Sequence, residues 1–497
     1  MATRETGFIG VDAGTSGCKT IVLSRSGQVL ATAARVYRTR RAPGGEVTQD
    51  AGDWVQAMGS TVRQCVAAVP RLTIGAIGVT APAHNAVLVG VDGEPLHPVM
   101  LWSDARTESV ATELRKRYGP DLFATTFAEL SPSWTLPQLV WLRRHVPDTY
   151  KRIRHVLIGK DYLRYRLTGL VGTDPSDAAG TAMFDQRART WIEPLCVDAG
   201  LTLDQLPPIH CATELAGGLS AEGSILLGLP SGTPVSVGAT DTAAELVSIG
   251  ADRHGSGLVK IASSGVVVAV SEAPHPDRRV LTYPHPIAGC WYTVAATSTA
   301  ATAYRWLRDT VFPADRQRGA STYAWMDELA SRVPAGAGGV LFLPFLDGER
   351  SPYWDRDLRA AFLGVSSASG VGHLCRAVME GVALSLRSCR DLLDGIGLGK
   401  QTPFLGGGGA GSPLWRQILV SVLGAEGYLA TPQGPAVGAA LLAAAAVGEA
   451  PRSGGGPSLE TVSPNPDWRS TYDRLYATYR TAGDTLSEIS HTLARQG

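Results

Sequence analysis

The sequence predicts an α/β protein with two lobes and a central cleft, and its length and two similar strand patterns indicate this class. At 497 residues the chain is too long for one hydrophobic core, so we expect two large domains, 1–250 and 251–497. Residues 8–36 contain three apolar runs separated by Gly-containing breaks, which predicts an antiparallel meander. About half a chain later, two apolar runs within 257–270 again flank a turn of small residues. This repetition indicates two related lobes.

Helices are expected between and after these strands, where apolar residues recur at spacings of three and four. Ser412 and Pro413 are typical of a helix start, as N-cap and first helical residue. The Gly- and Pro-rich stretch 450–466 is expected to be a surface connection to a final amphipathic helix, 467–494. The other predicted helices are 105–118, 136–145, 160–169 and 373–393.

Composition and charge exclude several classes of protein. Lys plus Arg and Asp plus Glu both total 45, so no net field attracts nucleic acid or an acidic membrane surface. The seven Cys are scattered without metal-ligand spacing, which favours reduced thiols. The longest Ala-rich run, Ala436 to Val447, is too short to span a bilayer. We therefore expect a cytoplasmic protein with no nucleic-acid or membrane partner.

The first candidate site is the turn that follows the first strand. A tight Gly-containing hairpin directs backbone N–H groups and hydroxyls at one point, which suits a phosphate. A carboxylate at the end of the strand is able to hold Mg²⁺ through water, and a lysine is able to reach a phosphate as a point charge. An ordinary hairpin turn without a ligand is the alternative interpretation of the same residues. The residues concerned are Asp12, Gly14, Thr15, Ser16 and Lys19.

The second candidate is Asp241, which follows a strand and precedes a helix of small residues. The start of a helix favours an ionised carboxylate that is ready to accept a proton. A simple N-cap is the alternative.

Two further Gly-containing segments are candidates for binding a nucleotide. Ser263, Ser264 and Gly265 mirror the first turn, and two such hairpins from two lobes are able to grip one polyphosphate. The glycine run Gly406 to Gly409 lets a flat base approach the backbone while the following helix start faces phosphate. Taken singly, the first is a common turn and the second a common linker.

A third group of residues suits a hydroxyl-rich ligand. An aromatic face, a carboxylate and a guanidinium supply the stacking and the directional hydrogen bonds that such a ligand needs. A packed histidine with surface charges is the alternative. These residues are His84, Trp102, Asp104 and Arg106.

Taken together, the ordered motifs resemble the FGGY carbohydrate kinases, in the class that shares the duplicated ATPase fold of actin, heat-shock proteins and hexokinase. The motifs run nearly end to end: IGVDAGTSGCKTIVL, LWSDART, KDYLRYRLTG, SDAAGT, GATDTAA, FLPFLDGERSPYWD, GGGGAGSPLWRQIL and GPAVGAALLAA. The resemblance implies a ribonuclease-H-like sheet in each domain, ATP and Mg²⁺ as cofactors, and Asp241 as catalytic base. It implies acceptor binding by the N-terminal domain and nucleotide binding by the C-terminal domain. It also implies that both turns hold phosphate, that Asp12 and Asp241 serve the metal, and that Gly407, Gly408, Gly409 and Ala410 lie against adenosine.

Among members of that family, the chain most resembles the xylulokinase-like branch, and it departs from it where the sugar would bind. Such members usually show Gly-Gln-Met-His where this chain has Ala81, Pro82, Ala83 and His84, and Asp-Asn where it has Asp241 and Thr242. An unmatched buried polar group costs about 1–3 kcal/mol, enough to change substrate preference. A ketopentose such as xylulose is the first expectation for the acceptor. A modified sugar, a cyclitol or a specialised-metabolite intermediate is the alternative, and a nucleotide-binding sensor without turnover is a third hypothesis. A homodimer is also left open.

Overall fold

The computed structural model describes residues 5–312, 320–399, 401–431, 433–449 and 458–496. Its strands up to residue 236 are β1 Thr6–Ala13, β2 Gly17–Ser24, β3 Val29–Val36, β4 Arg40–Ala42, β5 Glu46–Gln49, β6 Thr73–Thr80, β7 Ala86–Val89, β8 Val99–Met100, β9 His155–Ile158, β10 Phe184–Asp185, β11 Thr190–Trp191, β12 Leu215–Gly218 and β13 Pro234–Ser236. The later strands are β14 Ser256–Ile261, β15 Gly265–Ser271, β16 Leu281–Pro284, β17 Trp291–Ala296, β18 Leu341–Leu343, β19 Ala361–Leu363, β20 Thr402–Gly406, β21 Gly427–Thr431 and β22 Ser458–Val462.

The helices up to residue 248 are α1 Ala51–Ala68, α2 Glu108–Thr126, α3 Thr135–His145, α4 Pro147–Tyr150, α5 Gly159–Thr168, α6 Pro175–Ala179, α7 Glu193–Ala199, α8 Ala221–Leu227 and α9 Asp241–Ser248. The later helices are α10 Ala301–Val311, α11 Ala320–Ser331, α12 Val371–Leu393, α13 Pro413–Leu423, α14 Pro435–Ala446 and α15 Arg469–Gln496. None of these described helices is long and apolar enough to cross a membrane.

The chain forms two compact units, and each draws on more than one stretch of sequence. The first contains residues 1–252, 283–290 and 431–458, and the second contains 253–282, 291–430 and 459–497. In the first unit a six-stranded sheet has the order β12-β13-β6-β1-β2-β3. Its β1, β2 and β3 are antiparallel neighbours, whereas β6 runs parallel to both β1 and β13.

Helices cover both faces of the first sheet. Side chains along a strand alternate between the two faces, so neighbouring residues of β1 contact different helices. Ile9 and Val11 pack with Trp54 and Met58 of α1, whereas Phe8 packs with Ala436 and other small residues of α14. Buried apolar residues on both faces explain why β1 is continuously apolar rather than alternating.

The second unit repeats this arrangement. Its sheet has the order β16-β17-β15-β14-β20-β21-β22, in which β14, β15 and β17 are antiparallel neighbours and β20 runs parallel to β14 and β21. The buried helix α12 packs against this sheet and against α11 and α13. The predicted α/β class is confirmed, and the central part of each sheet has three antiparallel strands followed by two parallel ones.

Most predicted elements are confirmed, and one is wrong. The meander, the second strand pair, and the helices predicted at 136–145, 160–169 and 373–393 are all present within a few residues. Ser412 accepts a hydrogen bond from the Trp415 N–H and caps α13 as predicted. Of the stretch 450–466, the part 450–457 lies outside the described residues. The part expected to be a simple connection contains β22, which extends the second sheet.

Candidate active site

Three loops of the first unit follow the carboxyl ends of neighbouring parallel strands. The loop after β1 contains Gly14, the loop after β6 contains His84, and the loop after β13 leads to Asp241. Asp12 lies opposite Thr80 in the pairing of β1 with β6. The Asp241 N–H donates to the Ala81 carbonyl at 3.1 Å. Because the carboxyl ends of parallel strands share one edge of a sheet, the predicted phosphate turn, His84 and the predicted base lie at the same edge.

The first turn is tied back through its carbonyl oxygens. The Tyr37 hydroxyl donates to the Gly14 carbonyl, and the Gln49 side-chain amide donates to the Thr15 carbonyl at 2.7 Å. Gln49 is itself buried and accepts from the Trp54 indole N–H at 2.9 Å. Turn carbonyls that are held by the protein do not face an incoming anion, which favours phosphate binding by the backbone N–H groups. Sequence reasoning missed both Tyr37 and Gln49.

The remaining residues of the turn have graded exposure. Asp12 and Thr15 are half-buried, whereas Ser16 and Lys19 are exposed. Lys19 lies directly opposite Asp12 in the antiparallel pairing of β1 and β2. Residues that are directly opposite in such a pair project from the same face of the sheet, so the ammonium and the carboxylate share one face.

Asp241 is the first residue of α9, and Thr240 occupies the N-cap position. The alternative of a simple Asp N-cap is therefore wrong. One carboxylate oxygen accepts from the Thr242 N–H at 2.6 Å and lies 3.3 Å from the Thr242 hydroxyl. Asp241 and Thr242 are both half-buried, so the carboxylate is fixed but still accessible. A fixed, accessible carboxylate at a helix start has the position that a general base needs.

A buried ionic cluster supports the segment that leads to Asp241. Lys160 is fully buried, lies 2.6 Å from Asp161 and 3.3 Å from both Asp174 and Asp177, and donates to the Val237 carbonyl at 3.1 Å. Burial lowers the pKa of Lys160, but the three carboxylates outweigh it and raise that pKa overall. The three carboxylates therefore favour the charged form of the lysine, which anchors the loop after β13 through the Val237 carbonyl.

A second bond from the same region reaches Thr240, the residue before Asp241. The Ser176 hydroxyl accepts from the Thr240 N–H at 3.1 Å and itself donates to Asp174 at 2.6 Å. The backbone on the N-terminal side of Asp241 is therefore held at two points.

His84 is surrounded by aromatic rings. Its backbone has φ 73°, a left-handed conformation that is uncommon outside glycine and clusters at functional sites. The imidazole lies edge-on to Trp134 at 4.6 Å between ring centroids, and its Nε2 is 3.2 Å from the Tyr283 hydroxyl. Burial lowers the pKa of His84 to about 4, so the ring is neutral near pH 7 and serves as a hydrogen-bonding group rather than a cation.

The other predicted acceptor residues differ in what they contact. Asp104 is buried, and its carboxylate accepts from Arg106 at 2.7 Å and from the Val47 N–H at 2.8 Å. These bonds give Asp104 a structural task, and its contact with an acceptor stays a prediction. Trp102 is half-buried, and its backbone N–H donates to the Asn85 side-chain oxygen at 2.8 Å. Ala83 is half-buried, and a Cβ added at Gly180 would lie 3.1 Å from its methyl carbon.

The two predicted nucleotide motifs of the second unit are neighbours. The turn of Ser263 and Ser264 follows β14, and the glycine run follows β20, which is the parallel neighbour of β14. A Cβ at Gly407 would lie 2.4 Å from the Ile261 carbonyl, so only glycine allows the run to approach the end of β14 this closely. Gly408 is exposed, whereas Gly409 and Ala410 are buried. The structure thus brings Gly265 and Gly407–Ala410 to one edge of the second sheet.

The segment 297–302 holds the Ser263–Gly265 turn from behind. The Gly265 N–H donates to the Thr297 hydroxyl at 2.9 Å, and the Thr297 N–H donates to the Gly265 carbonyl at 2.8 Å. The Ser263 carbonyl accepts from the Ala300 N–H at 2.9 Å and from the Thr302 hydroxyl at 2.8 Å. As in the first unit, the carbonyls of the turn are occupied by the protein.

The comparisons with known proteins agree with this arrangement. Models of the N-terminal and C-terminal domains of the FGGY family of carbohydrate kinases match residues 8–248 and 259–447. The chain is 32% identical over 440 residues to a xylulose kinase of Escherichia coli, which covers 88% of this chain and 89% of that protein. It is 26% identical over 438 residues to a gluconokinase of Bacillus subtilis, covering 84% of this chain and 83% of that protein.

A solved structure gives the same result. The crystal structure of a xylulose kinase from Rhodospirillum rubrum matches with a TM-score of 0.87 and 29% identity. The match covers 98% of this chain and 100% of the chain in that structure. The two family models together span most of the sequence. The chain therefore belongs to the FGGY family of carbohydrate kinases, and it is an enzyme, a sugar kinase.

Proposed function

We propose that this enzyme transfers the terminal phosphoryl group of ATP to a hydroxyl of a small sugar or polyol, with a ketopentose such as xylulose as the first acceptor to test. The observation that carries the proposal is the convergence of the first phosphate turn, His84 and Asp241 at one sheet edge of the first unit. The names of the relatives support the choice of acceptor, because one is a xylulose kinase and another is a gluconokinase.

Asp241 acts as the general base in this proposal. Its carboxylate is held by Thr242 and is half-buried, so it is able to take the proton of a bound hydroxyl as that oxygen attacks phosphorus. Neutral His84 forms a hydrogen bond, as donor or as acceptor, with a hydroxyl of the bound sugar. The Trp134 and Tyr283 rings supply apolar surface beside it. The protein contributes mainly positioning, since phosphoryl transfer requires little covalent chemistry from it.

The residues present fit a divalent metal. Asp12 and Asp241 reach the same sheet edge, and Mg²⁺ usually binds through one or two carboxylates together with substrate phosphates. When bound, the ion neutralises charge on the phosphates. Within the described ranges, no group of three or more His, Cys, Asp or Glu side chains is arranged to hold a metal.

We assign acceptor binding to residues 1–250 together with Tyr283, which contacts His84, and nucleotide binding to the rest of 251–497. In this division Gly14–Lys19 and Ser263–Gly265 bind phosphate, and Gly407–Ala410 bind adenosine. A cytoplasmic location is part of the same proposal, because a kinase of small metabolites needs the ATP pool of the cell interior.

An acceptor panel tests the proposal. Purified enzyme is supplied with ATP and Mg²⁺, and ADP release is followed with ketopentoses, gluconate, polyols and cyclitols. We expect one acceptor class to raise ADP release at least about tenfold over the rate without acceptor. Binding of ATP without stimulation by any acceptor would contradict the kinase proposal and favour a nucleotide sensor.

A different acceptor is the second candidate function, and the surroundings of His84 favour it. Pro82 is buried and Thr242 is half-buried, at two positions where the xylulokinase-like pattern carries amides. A site without those amides loses hydrogen bonds to sugar hydroxyls and accepts a modified sugar or cyclitol more readily. A kcat/KM for a cyclitol or gluconate above that for xylulose would favour this candidate.

A further inference from the structure

A buried acidic residue of the second unit supports the segment that holds the second phosphate turn. Glu349 is 2% exposed, and one of its carboxylate oxygens accepts from the Ser298 N–H at 2.5 Å and from the Arg350 N–H at 2.8 Å. The other oxygen lies 3.3 Å from the Ser385 hydroxyl of α12. Glu349 thus joins the segment 297–302 to the central helix of its unit.

Arg350 makes a second connection to the same segment. Its guanidinium donates to the Thr297 carbonyl at 2.6 Å. The Ser351 N–H next to it donates to the Ala296 carbonyl at 2.9 Å, at the end of β17. Residues 349–351 therefore bind both the strand end and the first two residues of the segment that holds Ser263 and Gly265.

We propose that Glu349 and Arg350 are positioning residues for nucleotide phosphate binding, acting through Thr297 and Ser298 on the Ser263–Gly265 turn. The chain of contacts is direct: Glu349 binds the Ser298 N–H, Arg350 binds the Thr297 carbonyl, and Thr297 exchanges hydrogen bonds with Gly265. Burying an acid in this place is costly unless its acceptor capacity is used, and here one oxygen serves two backbone N–H groups. The inference rests on the proposed binding of phosphate by this turn.

The required chemistry is that of a hydrogen-bond acceptor rather than a charge. Burial raises the pKa of Glu349 to about 7, and in either protonation state the oxygen facing Ser298 keeps its lone pairs. A glutamine retains that oxygen and is nearly the same size, whereas an alanine removes it. This difference separates positioning from bulk packing.

The experiment measures KM for ATP and for the best acceptor in Glu349→Ala, Glu349→Gln and Arg350→Met. We expect Glu349→Ala to raise KM for ATP about tenfold and to leave KM for the acceptor within about twofold, because the bonds from the Ser298 N–H of the segment and from the Arg350 N–H next to it are both lost. Glu349→Gln is expected to stay within about threefold of the wild type for both. Arg350→Met is expected to raise KM for ATP by about fivefold.

Glu380→Ala is the matched control. Glu380 is also buried in the second unit at 1% exposure, but its bonds go to Arg376, the Gly336 N–H and the Tyr472 hydroxyl. The Glu380→Ala variant is expected to have a lower unfolding midpoint and an unchanged KM for ATP. The same rise in KM for ATP in Glu380→Ala would overturn the inference, because loss of stability alone would then account for the effect.

Two other results would also overturn it. One is an unchanged KM for ATP in folded Glu349→Ala. The other is a rise in KM for the acceptor as large as the rise in KM for ATP. If Glu349→Ala does not fold, Arg350→Met decides, and an unchanged KM for ATP in that variant overturns the inference. None of these results contradicts the proposed function. The proposed function fails separately, if the wild-type enzyme turns over no acceptor.

Discussion

At the scale of single residues, the contact between His84 and Tyr283 is the feature most closely tied to the proposed acceptor site. The two side chains are 199 positions apart in sequence, and their Nε2 and hydroxyl atoms are 3.2 Å apart. The sequence marked His84 because it follows a strand. It carried no signal for Tyr283, because no local pattern records which distant segment comes into contact with His84.

Tyr283→Phe is predicted to weaken acceptor binding. The variant removes the hydroxyl beside His84 and keeps the ring that packs near Trp134. We expect KM for the acceptor to rise about three- to tenfold, because a hydrogen bond in a buried site is lost. KM for ATP is the internal control and is expected to stay the same. A rise in KM for ATP alone would contradict the assignment of this region to the acceptor.

His285 is predicted to make stability fall in acid. It is 6% exposed, its Nδ1 accepts from the Ile287 N–H at 3.0 Å, and burial lowers its pKa to about 4. The unfolded chain binds the proton near pH 6.5, so stability is fully present above that pH and is lost as pH falls toward 4. The loss amounts to about 2–3 kcal/mol.

Urea unfolding of the wild type and His285→Asn at several pH values tests this. Asparagine keeps an acceptor for the Ile287 N–H but does not titrate. The stability of the wild type is expected to fall more steeply than that of the variant between about pH 7 and pH 4.5. Parallel curves would show that His285 is not the source.

At the scale of elements, close backbone contacts place α14 in the first unit. A Cβ at Gly10 would lie 1.8 Å from the Ala436 carbonyl, and a Cβ at Gly438 would lie 1.7 Å from the Ala244 carbonyl of α9. Glycine at both positions lets α14 touch β1 on one side and α9 on the other. Since α9 begins with Asp241, the packing of α14 helps to set the position of the proposed base.

Gly438→Ala is predicted to impair both stability and activity. The added methyl group meets backbone rather than a flexible side chain, so α9 and α14 must separate, at a cost of at least about 2 kcal/mol. We expect a lower unfolding midpoint and a lower kcat. Gly395→Ala is the control, because a Cβ there meets nothing within 4 Å. Equal stability of the two variants would contradict this account of the packing.

Local signals explain which elements were predictable. The helix predicted at 105–118 stops where Gly119 leaves the helical conformation with φ 49°, and the helical piece from Pro120 to Thr126 was not predicted. Gly and Pro mark the break correctly, but they do not reveal that helix resumes after it. The strand β22 was missed for a different reason, because a short edge strand depends on a neighbour that is distant in sequence.

At the scale of the whole molecule, the two units share one plan. Each has an antiparallel trio of strands joined to parallel strands, and in each the turn of the first hairpin is a predicted phosphate-binding turn of that unit. The sequence predicted this duplication from two hairpin patterns. It did not predict that residues 283–290 and 431–458 belong to the first unit, because such returns depend on tertiary packing. The supporting residues Tyr37, Gln49 and Lys160 were missed for the same reason.

Asp241 is proposed to be the base for phosphoryl transfer, and the variant Asp241→Asn removes that basicity alone. Asparagine retains an oxygen for the Thr242 N–H, so the start of α9 is preserved while basicity is lost. With ATP and the best acceptor, kcat is predicted to fall at least about a hundredfold, with an unfolding midpoint and an ATP affinity like those of the wild type. A fall of less than about tenfold in the folded variant would contradict the account.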